Sequence, residues 1–192
     1  MTLDSIVSKR NLVRFDFNVP MSNGNIVNDF RIKQSLETIQ ILLKNKNKLI
    51  ILSHLGRPTE GVYDESLSLK PICKYLSRLL KKAIRFISSY KEDINFEDYE
   101  IAMLENVRFN SGEKSSNSDL SKAYASLADH FVFDAFGVSH RKESSTYGVS
   151  EYLKTYAGLN ISKEISTINQ LINEDSRPMT IVISGAKVST KR

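Results

Sequence analysis

The sequence predicts an α/β domain built on a mainly parallel β-sheet with helices on both faces. Two observations carry this. Short apolar runs that read as strands alternate along the chain with segments of helical spacing, and the polar segments RFDFNVP, SHLGRP, LENVRF and DAFGVSHR each follow one of those runs. Alternation of strand and helix implies parallel strands joined by right-handed crossovers. Neighbouring parallel strands bring their carboxyl ends to one crevice, which is where open α/β sheets bind ligands.

The elements follow in order. NLVRFDF reads as a strand, and Pro20 with the SNGN cluster reads as a turn. Asn28 or Asp29 can cap a helix whose Ile32, Leu36, Ile39 and Leu43 recur at spacings of three and four. KLIIL is a continuous apolar run, the pattern of a strand covered on both faces. The turn-rich SHLGRPTEGVYDES leads into the helical LSLKPICKYLSRLL, where Pro71 is tolerated in the first turn. AIRFI, EIAMLE and HFVFDAF read as three further strands, with a Ser-rich loop and the helix DLSKAYASLAD before the last, so about five strands are expected in this region. Beyond Tyr147 the chain reads as mostly helical, ending in a long amphipathic helix with Ile161, Ile165, Ile168 and Ile172 on one face. Asp175 to Pro178 break it, and MTIVISGAKVSTKR starts a new strand and turn. The expected organisation is a Rossmann-like three-layer domain over residues 1–176 and an incomplete second α/β domain over 177–192.

Composition narrows the class of function. Apolar and charged fractions of 41% and 26% are those of a folded globular chain, which argues against disorder. The apolar clusters fall short of the roughly 20 residues needed to span a bilayer, and the N-terminus lacks the pattern of a signal peptide. A cytoplasmic location without membrane attachment is expected. Cys73 is the single cysteine, which excludes an internal disulfide, and its place on a helical apolar face reads as a buried structural thiol. The 27 Lys and Arg against 22 Asp and Glu give a net charge of +5, but no basic run interleaves with aromatics, so nucleic acid is not the expected partner.

The candidate site residues are mostly cationic. Arg57, Arg108 and Arg141, with His54, Asp16 and Asn18, follow predicted strands and describe a pocket for a small, multiply charged anion that also carries hydroxyl or carboxylate oxygens. Gly56 lets the backbone approach a ligand, and Asp16 and Asn18 share one side of their segment by alternation. Bland readings stand beside these. Arg57 could pair with Glu60 or Asp64 in a surface turn, Asp16 could cap a turn or pair with Arg14, and Arg31, which opposes the dipole of its helix, could pair with Asp29. His140 reads as a loop histidine and His130 as structural, and the three histidines lack metal-site spacing. No P-loop or dinucleotide fingerprint occurs, so phosphate would be held by side-chain forks. Gly185, Lys187 and Lys191 of SGAKVSTK form a weak nucleotide-phosphate signal.

Taken together, RFDFNVP, DFRIKQSLETI, SHLGRP, LENVRF, DAFGVSHR and SGAKVSTK resemble the phosphoglycerate kinase family in order and spacing, from Asn11 to Lys191. The resemblance implies a two-domain glycolytic phosphotransferase with a carboxyl group as acceptor. It passes a phosphoryl group between 1,3-bisphosphoglycerate and ADP, giving 3-phosphoglycerate and ATP, with Mg2+ on the nucleotide. It implies substrate contacts at Asp16, Phe17, Asn18, Arg31, His54, Leu55, Gly56, Arg57, Arg108 and Arg141, and nucleotide contacts at Gly185, Lys187 and Lys191. Arg31 matches the arginine used on the transferring phosphoryl group and Lys191 the lysine that reaches the nucleotide phosphates, so these two are the expected catalytic residues. No metal ligand is expected in this chain, and a monomer is expected. Ser184 and Phe133 depart from the family pattern, which generally has glycine and asparagine there. Family members run to about twice this length, two domains of the usual size, so the chain reads as a truncated enzyme. A non-catalytic phosphoglycerate-binding module is the alternative.

Overall fold

The computed structural model describes residues 3–173 and Thr180. In chain order the elements are β1 (Arg10–Phe15), a hairpin of β2 (Met21–Ser22) and β3 (Asn25–Ile26), α1 (Phe30–Lys44), β4 (Lys48–Leu52), α2 (Lys70–Leu80), β5 (Ile84–Ile87), β6 (Ile101–Leu104), α3 (Ser118–Ala125), β7 (His130–Asp134), β8 (Lys154–Ala157) and α4 (Leu159–Asn173). Apart from the hairpin, the strands form a six-stranded sheet in the order β5-β6-β4-β1-β7-β8, and each neighbouring pair is parallel.

Alternation along the strands divides the core into two layers. Val13, Ile51, Met103 and Val132 face a cluster with Ile32, Ile39, Leu42, Ile72 and Leu76 of α1 and α2. Leu12, Ile50, Ala102 and Phe131 face the opposite cluster, with Leu120 and Tyr124 of α3. Ile50 and Ile51 are both fully buried, as a central strand covered on both faces requires, and each such side chain contributes roughly 1.5–3 kcal/mol. The three-layer reading and the five predicted strands are therefore present. Cys73 is buried in the α1/α2 layer, and burial pushes its thiol up to about 11.

Local chemistry explains most boundaries. Asn23 and Gly24 both have positive φ, which a two-residue hairpin loop of this hand demands. Asn28 Oδ1 accepts from the Phe30 amide, while Asp29 at the cap position makes no side-chain cap bond and instead pairs with Lys33. Pro71 lies in the first turn of α2, and Lys81 ends that helix in the left-handed conformation.

One expectation needs correction. Residues after Tyr147 are not mostly helical throughout, because Lys154–Ala157 forms β8, an edge strand paired with β7. The long helix expected with Ile161, Ile165, Ile168 and Ile172 on one face is α4; Ile161 is buried, whereas Ile165, Ile168 and Ile172 are exposed among the described residues. The helix break at Asp175–Pro178, the 176/177 domain boundary, Ser184 and the nucleotide candidates Gly185, Lys187 and Lys191 lie outside the described residues. No helix among the described residues is long and apolar enough to cross a membrane.

Candidate anion site at the strand carboxyl ends

Sheet register places the site. Arg14 stands opposite Leu52 and Phe15 opposite Asp134, so Asp16 and His54 leave β1 and β4 side by side at the carboxyl edge. His54 Nδ1 lies 3.9 Å from Asp16 Oδ1. Ser53 ties the two exits together, since its Oγ accepts from the Phe17 amide and donates to the Phe15 carbonyl, both at 2.9 Å.

Asp16 acts first as a holder of Arg31. Its Oδ2 accepts from Arg31 NH1 at 2.9 Å, and the same nitrogen donates to the Asn18 carbonyl at 3.1 Å. Arg31 thus pairs with Asp16 rather than Asp29, and its guanidinium is drawn from the start of α1 over the β1 exit with nearly half its side chain exposed. Asp16 Oδ1 accepts from the Asn18 amide, the local turn bond expected of an aspartate here. Gly137 leaves room for this carboxylate, because a Cβ there would meet Asp16 Oδ2 at 2.7 Å.

The SHLGRP loop is fixed from both sides. Asn18 Oδ1 accepts from the Gly56 amide at 2.9 Å, and the Gly56 carbonyl accepts from Arg108 NH1 at 2.8 Å. Gly56 adopts φ +63°, and a Cβ would press on Leu67 at 2.6 Å, so both conformation and space call for glycine. Asn106 Nδ2 donates to the carbonyls of Leu55 and Leu67, closing the loop's two ends. Phe17 and Leu55 have buried side chains, which leaves only their backbone for a ligand.

Arg57 projects from this loop, exposed and without an ion pair among the described residues. Glu60 and Asp64, its possible surface partners, bond elsewhere: Glu60 accepts from the Lys114 amide and Asp64 from the Ser66 amide. Arg108, expected from sequence as a substrate contact, is largely buried. It is 4% exposed, and its guanidinium braces Gly56 against Glu143, whose Oε1 accepts from NH2 at 3.2 Å. Arg141 NH1 stands 3.7 Å from the same carboxylate oxygen, with a side chain 41% exposed. Its backbone is held by Thr146 Oγ1, which donates to the Arg141 carbonyl.

Electrostatics make the cleft strongly positive. Burial first, then the charges of Arg14, Arg108, Arg141 and Arg31, push the His54 imidazole down to about 2, so it is neutral at physiological pH. The cluster behind it was not picked out as functional from sequence. Arg14 is fully buried, with Nε donating to Ser145 Oγ and NH2 facing His54 Nδ1, and Glu113 is buried beneath Ser145. Burial raises Glu113 to about 7 against the lowering effect of Ser145 and Arg14. His140 is exposed, and His130 packs edge-on against Tyr156, in keeping with their structural readings.

A separate cavity of about 240 Å3 opens on the α1/α4 side of Asp16 and Arg31, lined also by Gln34, Asp134, Asn160 and Glu164. Its carboxylates oppose a multiply charged anion, so the arginine-lined edge around His54 is the better anion site.

Comparison with known proteins bears on the family and the fold. The family model described as phosphoglycerate kinase matches residues 3–192. The phosphoglycerate kinase of Francisella tularensis subsp. novicida (strain U112) is 45% identical over 184 residues, covering 95% of this chain and 47% of that protein. That of Francisella philomiragia subsp. philomiragia is 44% identical over 185 residues, covering 96% and 47%. The solved phosphoglycerate kinase of Coxiella burnetii superposes with a TM-score of 0.86 at 41% identity, over 96% of this chain and 48% of that one. The Pyrococcus horikoshii OT3 enzyme gives 0.84 at 28%, over 95% and 48%. The chain spans about half the length of the curated relatives it matches. With the six-stranded parallel sheet and the motif order in agreement, the chain belongs to the phosphoglycerate kinase family.

Proposed function

We propose that this chain supplies the 3-phosphoglycerate site of a phosphoglycerate kinase, the enzyme that transfers a phosphoryl group between 1,3-bisphosphoglycerate and ADP to give 3-phosphoglycerate and ATP. One observation supports this most: Arg31, Arg108 and Arg141 gather around a neutral His54 at the carboxyl ends of parallel strands, with Arg57 on the adjoining loop free of ion pairs among the described residues. Such an array suits a ligand with both a phosphate and a carboxylate. In this reading Arg57 and Arg141 meet the anionic groups, Asp16 and Asn18 orient the glycerate end, and Arg108 holds the loop while adding charge. Arg31, exposed and tethered at one nitrogen, neutralises the phosphoryl group in transit. Phosphoryl transfer needs positioning and charge neutralisation more than covalent help, and these residues supply both.

The nucleotide arrives as its magnesium complex, with Lys191, Lys187 and Gly185 read as its contacts and residues 177–192 as the start of a nucleotide-binding domain. The described residues contain no group of three or more His, Cys, Asp or Glu placed to hold a metal ion, so no step is assigned through the ion. The reading includes a cytoplasmic, monomeric protein with no nucleic-acid or membrane partner.

Calorimetric titration of the 192-residue chain with 3-phosphoglycerate tests it. Arg57→Ala and Arg141→Ala should each weaken binding by about 1.5–3 kcal/mol, the scale of charge-assisted hydrogen bonds. Arg57→Ala should leave stability unchanged, since Arg57 has no ion pair among the described residues to lose. Undiminished binding in both variants would remove them from the pocket.

A further inference from the structure

Behind His54 lies a buried hydrogen-bond chain whose directions are forced. A guanidinium has donors only. Arg14 NH2 lies 3.2 Å from His54 Nδ1, so that ring nitrogen must offer its lone pair. The neutral ring then carries its proton on Nε2, which makes no hydrogen bond among the described residues and is not one of the sealed, unpartnered polar atoms. Its N–H is therefore open to the cleft.

The guanidinium cannot turn away to relax this constraint. Arg14 Nε donates to Ser145 Oγ at 3.0 Å, NH1 donates to the Phe15 carbonyl, and the Ser145 hydroxyl donates onward to Glu113 Oε1 at 2.5 Å. Reversing the Ser145 hydroxyl would set its proton against the Arg14 N–H. Arg14 and His54 are 0% and 2% exposed, so water does not substitute for either partner. The charges facing the ring are the cations Arg14, Arg31, Arg108 and Arg141, against Asp16 at 3.9 Å, which is already committed to Arg31.

We propose that Arg14 is a positioning residue that locks His54 in the neutral Nε2–H tautomer, so that the imidazole meets the ligand's oxyanion as a hydrogen-bond donor and adds no charge to the cleft. The identity of that oxyanion rests on the proposed function. The tautomer does not.

Long-range 1H–15N correlation spectra of the imidazoles in the 192-residue chain test the proposal. There are three histidines, so His54→Gln assigns the signal. Expected is an unprotonated Nδ1 and a protonated Nε2, unchanged between pH 8 and pH 5. A protonated Nδ1, whether as the other neutral tautomer or as imidazolium, would overturn it. Arg14→Met should release the ring into a mixture of tautomers and weaken 3-phosphoglycerate binding by about tenfold, the loss of one well-placed hydrogen bond, and Arg14→Lys should restore the Nε2–H signature. A folded Arg14→Met chain with an unaltered tautomer would refute the positioning role. Should Arg14→Met not fold, Ser145→Ala frees Arg14 Nε, and tautomer exchange is expected there; a ring as fixed as in the parent would count against the chain. An intact tautomer whose Nε2 signal does not respond to 3-phosphoglycerate would instead sink the substrate reading alone.

Discussion

His54 and Glu113 sit at the two ends of one buried network yet titrate in opposite senses. Glu113 is raised by burial from 4.5 to about 7, so the folded chain holds a proton that the unfolded chain has released. Its stabilising contribution is complete below 4.5 and is lost as pH rises through 7. His54 is depressed by burial and neighbouring arginines from 6.5 to about 2, so the unfolded chain takes up a proton that the folded one refuses. That contribution is complete above 6.5 and falls away as pH drops. Between about 4.5 and 6.5 the two slopes, each at most about 1.4 kcal/mol per pH unit, oppose each other. Asp134, also raised by burial, adds to the Glu113 sense, so differences between variants are the quantity to read. Relative to the parent chain, Glu113→Gln should make stability climb with pH across that window, and His54→Gln should make it fall. Urea unfolding at three pH values checks this, and parallel profiles for all three chains would refute it. Sequence patterning pointed to His54 because it follows a strand, but not to Arg14, whose partners Ser145 and His54 lie 131 and 40 residues away. Nothing local in RFDF distinguishes a buried bracing arginine from a solvent-facing one.

At the scale of elements, the loop between β4 and α2 presents Arg57 only because other segments hold its shape. Asn106, just after β6, bonds the carbonyls at Leu55 and Leu67 and caps the turn containing Arg108 through Oδ1. Asn106→Ala should therefore leave two carbonyls without their partner, at a cost of about 2–4 kcal/mol, and should weaken anion binding although Asn106 touches no ligand in the proposed site. Urea midpoints with calorimetry check both effects; full stability would show that water replaces the amide. LENVRF drew notice for Arg108, and the structural weight of its asparagine was invisible without the loop it closes. β8 escaped for a related reason. KTYA has one buried residue, Tyr156, and lies between helical segments, so neither apolar alternation nor a continuous run marks it. Its strand character comes from the free edge of β7, a tertiary influence. α1, α2 and β4 were legible because burial on one or both faces writes a period into the sequence.

For the whole molecule, the sheet buries both faces within the described residues, and the proposed site draws on segments following β1, β4, β6 and β7. The 192-residue chain is accordingly expected to unfold in one cooperative transition and to bind 3-phosphoglycerate with an affinity that falls with salt, because the contacts are ionic and partly exposed. ATP formation by this polypeptide alone should be undetectable in a coupled assay, since in-line transfer needs both substrates held in a water-excluded gap and the arginine edge is open to solvent. Turnover abolished by Arg31→Ala would contradict that expectation. The fold class was legible as a whole because strand and helix alternate, whereas strand order could not be read from the chain. That order has a consequence during synthesis. β1 gains β4 early on one side, but its other neighbour, β7, is completed only about 80 residues later. At translation rates of about 5–20 residues per second, one edge of the central strand waits roughly 4–16 s for its partner. A nascent chain of this design therefore passes through an interval in which its buried central strand has a bare flank, and a chaperone or a slow codon stretch would act most usefully there.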